Sequence, residues 1–389
     1  MPSYHRLGTL PPKRHTQFRR PDGQLYSEEV FGTEGFSGNY SILYHHYPPT
    51  AVRRLERFTP EQYRYDTWHE GVQRHHHLRT TALTSGGDAV SGRQVLMYNN
   101  DVIIGIAKPT MNMHYFYRDG DSDLLYFVHE GHGTLESTFG QLPYHEGDYI
   151  IIPRGTTFQF MMDEKGPATT LLIVEAHGAI EPPNRYLNKY GQFLEHSPYC
   201  DRDIRRPEEL VTHIEHGEFE VRLKVGNLLT SYWYDTHPFD VVGWDGHEYP
   251  WIFNIADFEP ITGRVHQPPP VHQTFQGPNF VVCSFVPRKL DYHPRSIPVP
   301  YNHSNIDSDE MMYYVNSSYG ARRGIERASI TLHPRGLPHG PQPGTVEKSL
   351  GAERTEEMAV MIDTFHPLHF TTIAQSVDDA SYPYSWLAQ

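Results

Sequence analysis

Short apolar runs separated by turn-forming residues recur along the chain. Those at 40–47, 95–98, 102–106, 124–128, 149–152, 170–174, 280–286, 311–315, 328–332 and 358–363 have the length and the β-branched or aromatic content of strands. The stretch 218–225 alternates apolar and polar positions, as an edge or half-buried strand does. Gly147-Asp148 is a turn entering the strand at Tyr149. Residues 207–213, with proline first, are the place for a short helix. The pattern predicts a mainly all-β protein with few short helices. Residues 184–206 read as a polar, aromatic connector and 288–300 as a loop. No linker is poor enough in apolar residues to make the halves independent, so packed, interleaved barrels are expected, dividing into 1–238 and 239–389.

One frame occurs twice. Ser122-Asp123-Leu124-Leu125-Tyr126-Phe127-Val128 reads against Asp309-Glu310-Met311-Met312-Tyr313-Tyr314-Val315, and Ile152-Pro153-Arg154-Gly155 against His333-Pro334-Arg335-Gly336. A strand pattern and a Pro-Arg-Gly turn that recur together point to a duplicated barrel. The second copy carries chemistry. His303 stands seven residues before Glu310, and His339 follows the second turn. Two imidazoles and one carboxylate can hold a cation from one side and leave the other open, as in non-haem Fe(II) oxygenases. On this alignment Phe116 stands for His303, Asp123 for Glu310 and Phe158 for His339, so the first copy is expected to be metal-free. Asp309 competes with Glu310; Glu310 is preferred because the apolar run starts directly after it. The runs His45-His46 and His75-His76-His77 are expected at the surface or an interface, because neighbours on a strand face opposite ways and do not converge on one ion.

Composition narrows the function classes. The 32 prolines, 31 glycines and 26 tyrosines favour short strands over long helices. A net charge of −14 argues against nucleic acid or an anionic membrane as partner, since both need a basic face. The two cysteines, Cys200 and Cys283, make no disulfide framework and suit a reducing compartment. The N-terminus shows no apolar signal core, and a cytoplasmic location is expected.

The two motifs together, His-x-Asn-x4-Glu and Pro-x-Gly-x2-His, match the two-part signature of cupin barrels, with Asn305 where many cupins have a further histidine. More specifically, the chain resembles the homogentisate 1,2-dioxygenase family. The resemblance rests on Phe239-Asp240-Val241-Val242-Gly243-Trp244 with Gly246 and Pro250, on Pro300-Tyr301-Asn302-His303-Ser304-Asn305, on Glu310, on Leu332-His333, on Pro338-His339-Gly340-Pro341 and on Glu347-Lys348. It implies duplicated cupin (jelly-roll) barrels and one Fe(2+). It also implies an extradiol-type cleavage of homogentisate by O2 to maleylacetoacetate in tyrosine and phenylalanine catabolism, in trimers paired into hexamers. His303, Glu310 and His339 match the iron ligands, Tyr319 the substrate-contacting tyrosine, and His333 a histidine that orients a ligand. The catalytic histidine corresponds to His266 or His272: the first fits the following proline, the second the distance to the next strand. Arg322 or Arg323 could pair with a substrate carboxylate. The alternatives are the same cleavage on another hydroquinone such as gentisate, and a metal cupin that binds or isomerises its ligand without O2.

Overall fold

The computed structural model describes residues 3–58, 65–163, 165–317, 319–322 and 324–387. Two layers of sheet build the first barrel. One runs Gly140–Tyr144, Gly133–Ser137, Thr157–Met162, Phe116–Asp119, His216–Val225, Leu228–Thr236 and Val52–Phe58; the other is an eight-stranded sheet centred on Asp148–Ile152, Asp123–Glu130 and Thr170–Ala176. The second barrel is built on one six-stranded sheet. Its order is Gln273–Gly277, Phe280–Phe285, Ala359–Thr364, Asp309–Tyr314, Ile330–His333 and His76–Leu78.

Period-two alternation decides where each side chain goes. On Asp123–Glu130, Leu124, Tyr126 and Val128 point into the first barrel, while Leu125 and Phe127 join a core shared by both barrels. On Asp309–Tyr314, Met311 and Tyr313 enter the shared core, and Met312 and Tyr314 face the interior of the second barrel. Both strands are buried on both faces, which is why they read as unbroken apolar runs. The Tyr149 hydroxyl and the Ser284 hydroxyl are hydrogen-bonded at 2.8 Å across the shared core.

The halves interleave. His76–Leu78 pairs with Ile330–His333, and His369–Phe370 pairs back onto Arg93–Tyr98. Val241–Gly246 and Trp251–Asn254, assigned to the second half from the sequence, hydrogen-bond with strands of the first. Residues 207–213 hold no helix; they are irregular apart from one bridge, Glu209 to Gln141. The α-helices among the described residues are Thr345–Ser349 and Thr372–Ser376. No helix there is long and apolar enough to cross a membrane.

The repeat has a different register from the one read in the sequence. Asp123 Oδ1 accepts from Arg154 N and Nε at 3.1 and 3.0 Å, and its Oδ2 from Ile180 N at 3.1 Å. Asp309 does the same with Arg335 N and Nε, both at 3.0 Å, and Leu368 N at 2.8 Å. Asp123 is therefore the twin of Asp309, not of Glu310. Leu124 pairs with Ile152 as Glu310 pairs with His333, and Phe158 pairs with Tyr117 as His339 pairs with His303. The counterpart of His303 is thus Tyr117 rather than Phe116, and Tyr117, Leu124, Ile152 and Phe158 fill the first barrel with packed hydrocarbon and ring.

Of the histidines expected at the surface or an interface, His46 and His75 are partly exposed, whereas His45, His76 and His77, 2–3% exposed, are buried because both faces of their strands are covered. His45 Nδ1 meets Asp240 at 2.7 Å and Nε2 meets Glu29 at 2.9 Å. Burial alone would lower its pKa, but these bonds outweigh it and push it up to about 9. A raised histidine stabilises fully below its unfolded value of about 6.5 and loses that contribution as pH rises through the folded value. Stability is therefore expected to fall by up to about 3 kcal/mol between roughly pH 6.5 and 9. His45→Gln should flatten that slope in urea melts across the range, and an unaltered slope would exclude His45 as its source.

Candidate metal centre

The Pro334-Arg335-Gly336 turn sets the position of His339. Gly336 takes φ +76°, its N–H bonds Asn305 O at 2.7 Å, and Arg335 is clamped by Asp309. From there the chain runs beside residue 303: His303 N donates to His339 O at 2.7 Å, and His339 N to His303 O at 2.8 Å. The contact is close enough that a Cβ on Gly340 would lie 2.6 Å from Asn302 Cα. This explains the glycine of Pro-His-Gly-Pro. Glu310 reaches the same point from the neighbouring strand, while Asp309, one residue earlier, points the opposite way into its clamp.

The donor atoms of His303, Glu310 and His339 all lie within 4.8 Å of one another. His303 Nε2 is 3.3 Å from Glu310 Oε2, and His339 Nε2 is 3.3 Å from Glu310 Oε1. Neighbouring donors around one cation with bonds of about 2.1 Å are separated by roughly 3.0–3.4 Å. His339 Nδ1 donates to Leu337 O at 3.2 Å, so its lone pair is at Nε2. That nitrogen is buried and has no hydrogen-bond partner among the described residues. His333 Nδ1 donates to Glu310 Oε1 at 2.8 Å, and its Nε2 accepts from the Tyr382 hydroxyl at 3.2 Å. Burial would raise the Glu310 pKa, but the imidazoles of His303, His333 and His339 packed around it hold it well below the usual carboxylate range; burial pushes His333 well down. A carboxylate with an orphaned imidazole nitrogen beside it is a donor set that fits a divalent cation. The side chain of His303 is 33% exposed and that of His339 0%, so the approach is from the His303 side.

A second cluster, His213, Glu215 and His237, has donors as close together. Its chemistry differs. His237 Nδ1 accepts the Phe239 N–H at 3.0 Å, so the proton is on Nε2 and no lone pair is left there for an ion. A cleft of about 1100 Å³, lined by Phe31, Arg154, Glu248 and Trp251 among others, shares no residue with the His303, Glu310 and His339 cluster.

The other predicted residues surround the centre. The inner face of the sheet next to Glu310 carries Val281, Cys283, Phe285, Met312, Tyr314 and Met361, and Tyr319 packs on it. The Tyr319 ring is 6.2 Å from Phe285 and 5.1 Å from Tyr314, and burial raises its pKa. His272 stacks on Phe285 at 4.4 Å, with Nδ1 buried and without a hydrogen-bond partner among the described residues; burial pulls its pKa to about 3. His266 sits further out. Its Nε2 is 3.2 Å from the Tyr301 hydroxyl, and the Tyr301 ring lies 5.9 Å from that of His303. Arg322 is committed elsewhere: its guanidinium donates to Gly340 O and Ala321 O and lies over Trp386. Arg323 lies outside the described residues.

Sequence reasoning missed His75, Asp363, Tyr382 and Trp386. Asp363 pairs with Glu310 across the sheet, and Glu310 beside it joins burial in raising its pKa well up. An acidic end to the 358–363 strand pattern was the available signal for Asp363. None marked the others, whose partners lie 263 residues away for His75, 49 for Tyr382 and 46 for Trp386.

Two family models cover the chain, homogentisate 1,2-dioxygenase N-terminal over residues 8–255 and homogentisate 1,2-dioxygenase C-terminal over 264–388. A candidate dioxygenase of Saccharolobus solfataricus, its substrate unstated, is 43% identical over 98% of both chains. The homogentisate 1,2-dioxygenase of Emericella nidulans is 25% identical over 90% of this chain and 83% of its own. That of Bradyrhizobium diazoefficiens is 25% identical over 72% of this chain, and the match spans 63% of the bacterial enzyme's length. With both halves matched in order, the chain belongs to the homogentisate 1,2-dioxygenase family.

Proposed function

We propose that this protein is an Fe(II)-dependent dioxygenase that cleaves the ring of homogentisate. The observation that carries the proposal is the orphaned, buried Nε2 of His339 facing Glu310 and His303 beside an apolar, aromatic-walled face. Bound by these three residues, ferrous iron would supply the redox centre at which O2 and the aromatic ring react. The protein's own residues do the rest. Phe285, Tyr314 and Tyr319 give the ring a flat apolar seat, and the enclosing wall keeps water from the reacting carbon. His266, at the partly exposed mouth, exchanges the substrate's phenolic proton with solvent. His333 fixes the Glu310 carboxylate, in turn held by Tyr382. The exposed apolar residues Val265, Tyr292, Ile297, Tyr301 and Ile306, in and around the loop that leads to His303, suit packing against further copies in a homo-oligomer, a trimer or hexamer. Free Cys200 and Cys283 and a ferrous cofactor fit a reducing cytoplasm.

A second reading, the same cleavage of a different hydroquinone, is favoured by the engagement of Arg322 with Gly340 and by the 43% relative, whose substrate is unstated. Oxygen uptake by the Fe(II)-loaded protein with homogentisate, gentisate and uncharged hydroquinones separates the two. Uptake with homogentisate alone is the expected result. Uptake only with another ring transfers the assignment, and tight ligand binding without uptake ends the dioxygenase proposal for this chain.

A further inference from the structure

The segment that carries His339 is held at three successive residues. His339 itself exchanges both backbone hydrogen bonds with His303. The carbonyl before it, on Pro338, accepts from His75 Nε2 at 3.2 Å. The carbonyl after it, on Gly340, accepts from Trp386 Nε1 at 3.1 Å and from the Arg322 guanidinium. The clamping side chains come from the segment between Val52–Phe58 and Arg93–Tyr98, from the loop after Tyr314 and from near the C-terminus.

His75 does more than bond one carbonyl. Its half-buried ring lies edge-on to His333 at 5.5 Å and to His339 at 5.8 Å, and it leans on Trp386 at 5.2 Å. It directly precedes His76–Leu78, the strand that adds to the edge of the six-stranded sheet beside Ile330–His333. By alternation His75 and His77 face the metal side, while His76 turns away to Glu70 and Asp378 at 3.0 Å each. A donor aimed at the peptide before a ligand, with a ring walling that ligand's imidazole, limits the ways His339 Nε2 can swing from Glu310.

We propose that His75 is a positioning residue for the metal: it holds the Pro338 carbonyl and the face of His339, so that docking of a segment from the N-terminal half, between Val52–Phe58 and Arg93–Tyr98, sets how firmly the second barrel keeps its ion. The inference rests on the metal reading of His303, Glu310 and His339. Groups that orient ligands in this way typically change metal affinity by about 10- to 100-fold.

The test compares wild type with His75→Ala, His75→Gln and Trp386→Phe, each full length and loaded with Fe(II) or Co(II). It reads the rate of metal loss to a chelator, the visible spectrum of the Co(II) form and the melting temperature of the metal-free protein. The expected result is metal loss about tenfold or more faster in His75→Ala, with a changed Co(II) spectrum. His75→Gln, which can still donate to Pro338 O, should recover most of the difference. Trp386→Phe, which removes one donor to Gly340 O and keeps the ring, should show a smaller change in the same direction. If His75→Ala does not fold, His75→Phe takes its place: it keeps a ring against Trp386 and removes the donor to Pro338 O, so it should lose metal faster than both wild type and His75→Gln. Wild-type retention rates and spectra in the folded variants, with only the metal-free melting temperature lowered, would overturn the proposal and leave His75 a packing residue. A wild-type protein that holds no metal would bring down the metal reading itself, and this inference with it.

Discussion

His339→Ala is expected to fold, to bind no stoichiometric iron and to lose oxygen uptake. With three protein donors, removal of one leaves a carboxylate and a half-exposed imidazole, and His339 is the donor whose lone pair has no other partner among the described residues. The fall in affinity should exceed the roughly 100-fold seen when groups that only orient a ligand are removed. Wild type should melt higher with Fe(II) than without, since a ligand bound to the folded state alone stabilises it. His339→Ala should lose that increment. The matched control is Phe158→Ala, the equivalent site of the first barrel, where the ring is fully buried against Tyr117 and Tyr126. It should cost about 3–5 kcal/mol of stability and leave the iron content at wild-type level. Full iron in His339→Ala, by metal analysis after gel filtration, would remove the ligand assignment.

The second large effect concerns the two candidate histidines. His266→Ala is expected to lower kcat by about 10²- to 10⁴-fold with iron retained, the usual range for loss of a positioned acid or base. Burial lowers the His266 pKa below its ordinary value, so the ring is neutral and able to accept a proton at pH 7. The sign follows: wild-type kcat/KM should fall as pH drops through that lowered pKa, below about 6.5, and this acidic limb should disappear in His266→Ala. His272, pulled to about 3 and stacked on Phe285, stays neutral across the assay range. His272→Gln should weaken substrate binding and keep the limb. A limb lost with His272 and kept with His266 would reverse the roles.

Much of the candidate metal centre was legible because its residues sit on or beside strands whose boundaries the apolar pattern marks. His303, Glu310 and His339 come together where the two motifs place them. The choice between Asp309 and Glu310 needed more than spacing. Both are acidic and adjacent, and only strand alternation, with Arg335 taking Asp309, sends Glu310 inward. The same ambiguity shifted the repeat by one residue, since Asp123 looks like a reduced ligand and is a turn clamp. The burial of His45, His76 and His77 escaped the pattern for a different reason. Alternation says that neighbours face opposite ways, but it does not say that both sides are covered. Residues 207–213 have a helix-starting proline, yet their partners are strands far away in sequence. His75 and Trp386 act through contacts spanning 263 and 46 residues, which no local pattern encodes.

The short strand His76–Leu78 has a practical corollary for anyone dissecting this protein. Expressed alone, residues 239–389 would present Ile330–His333 as a bare rim of unmatched amide and carbonyl groups, an invitation to self-association. Supplied in trans, a fragment ending after residue 238 would be able to dock there and restore solubility.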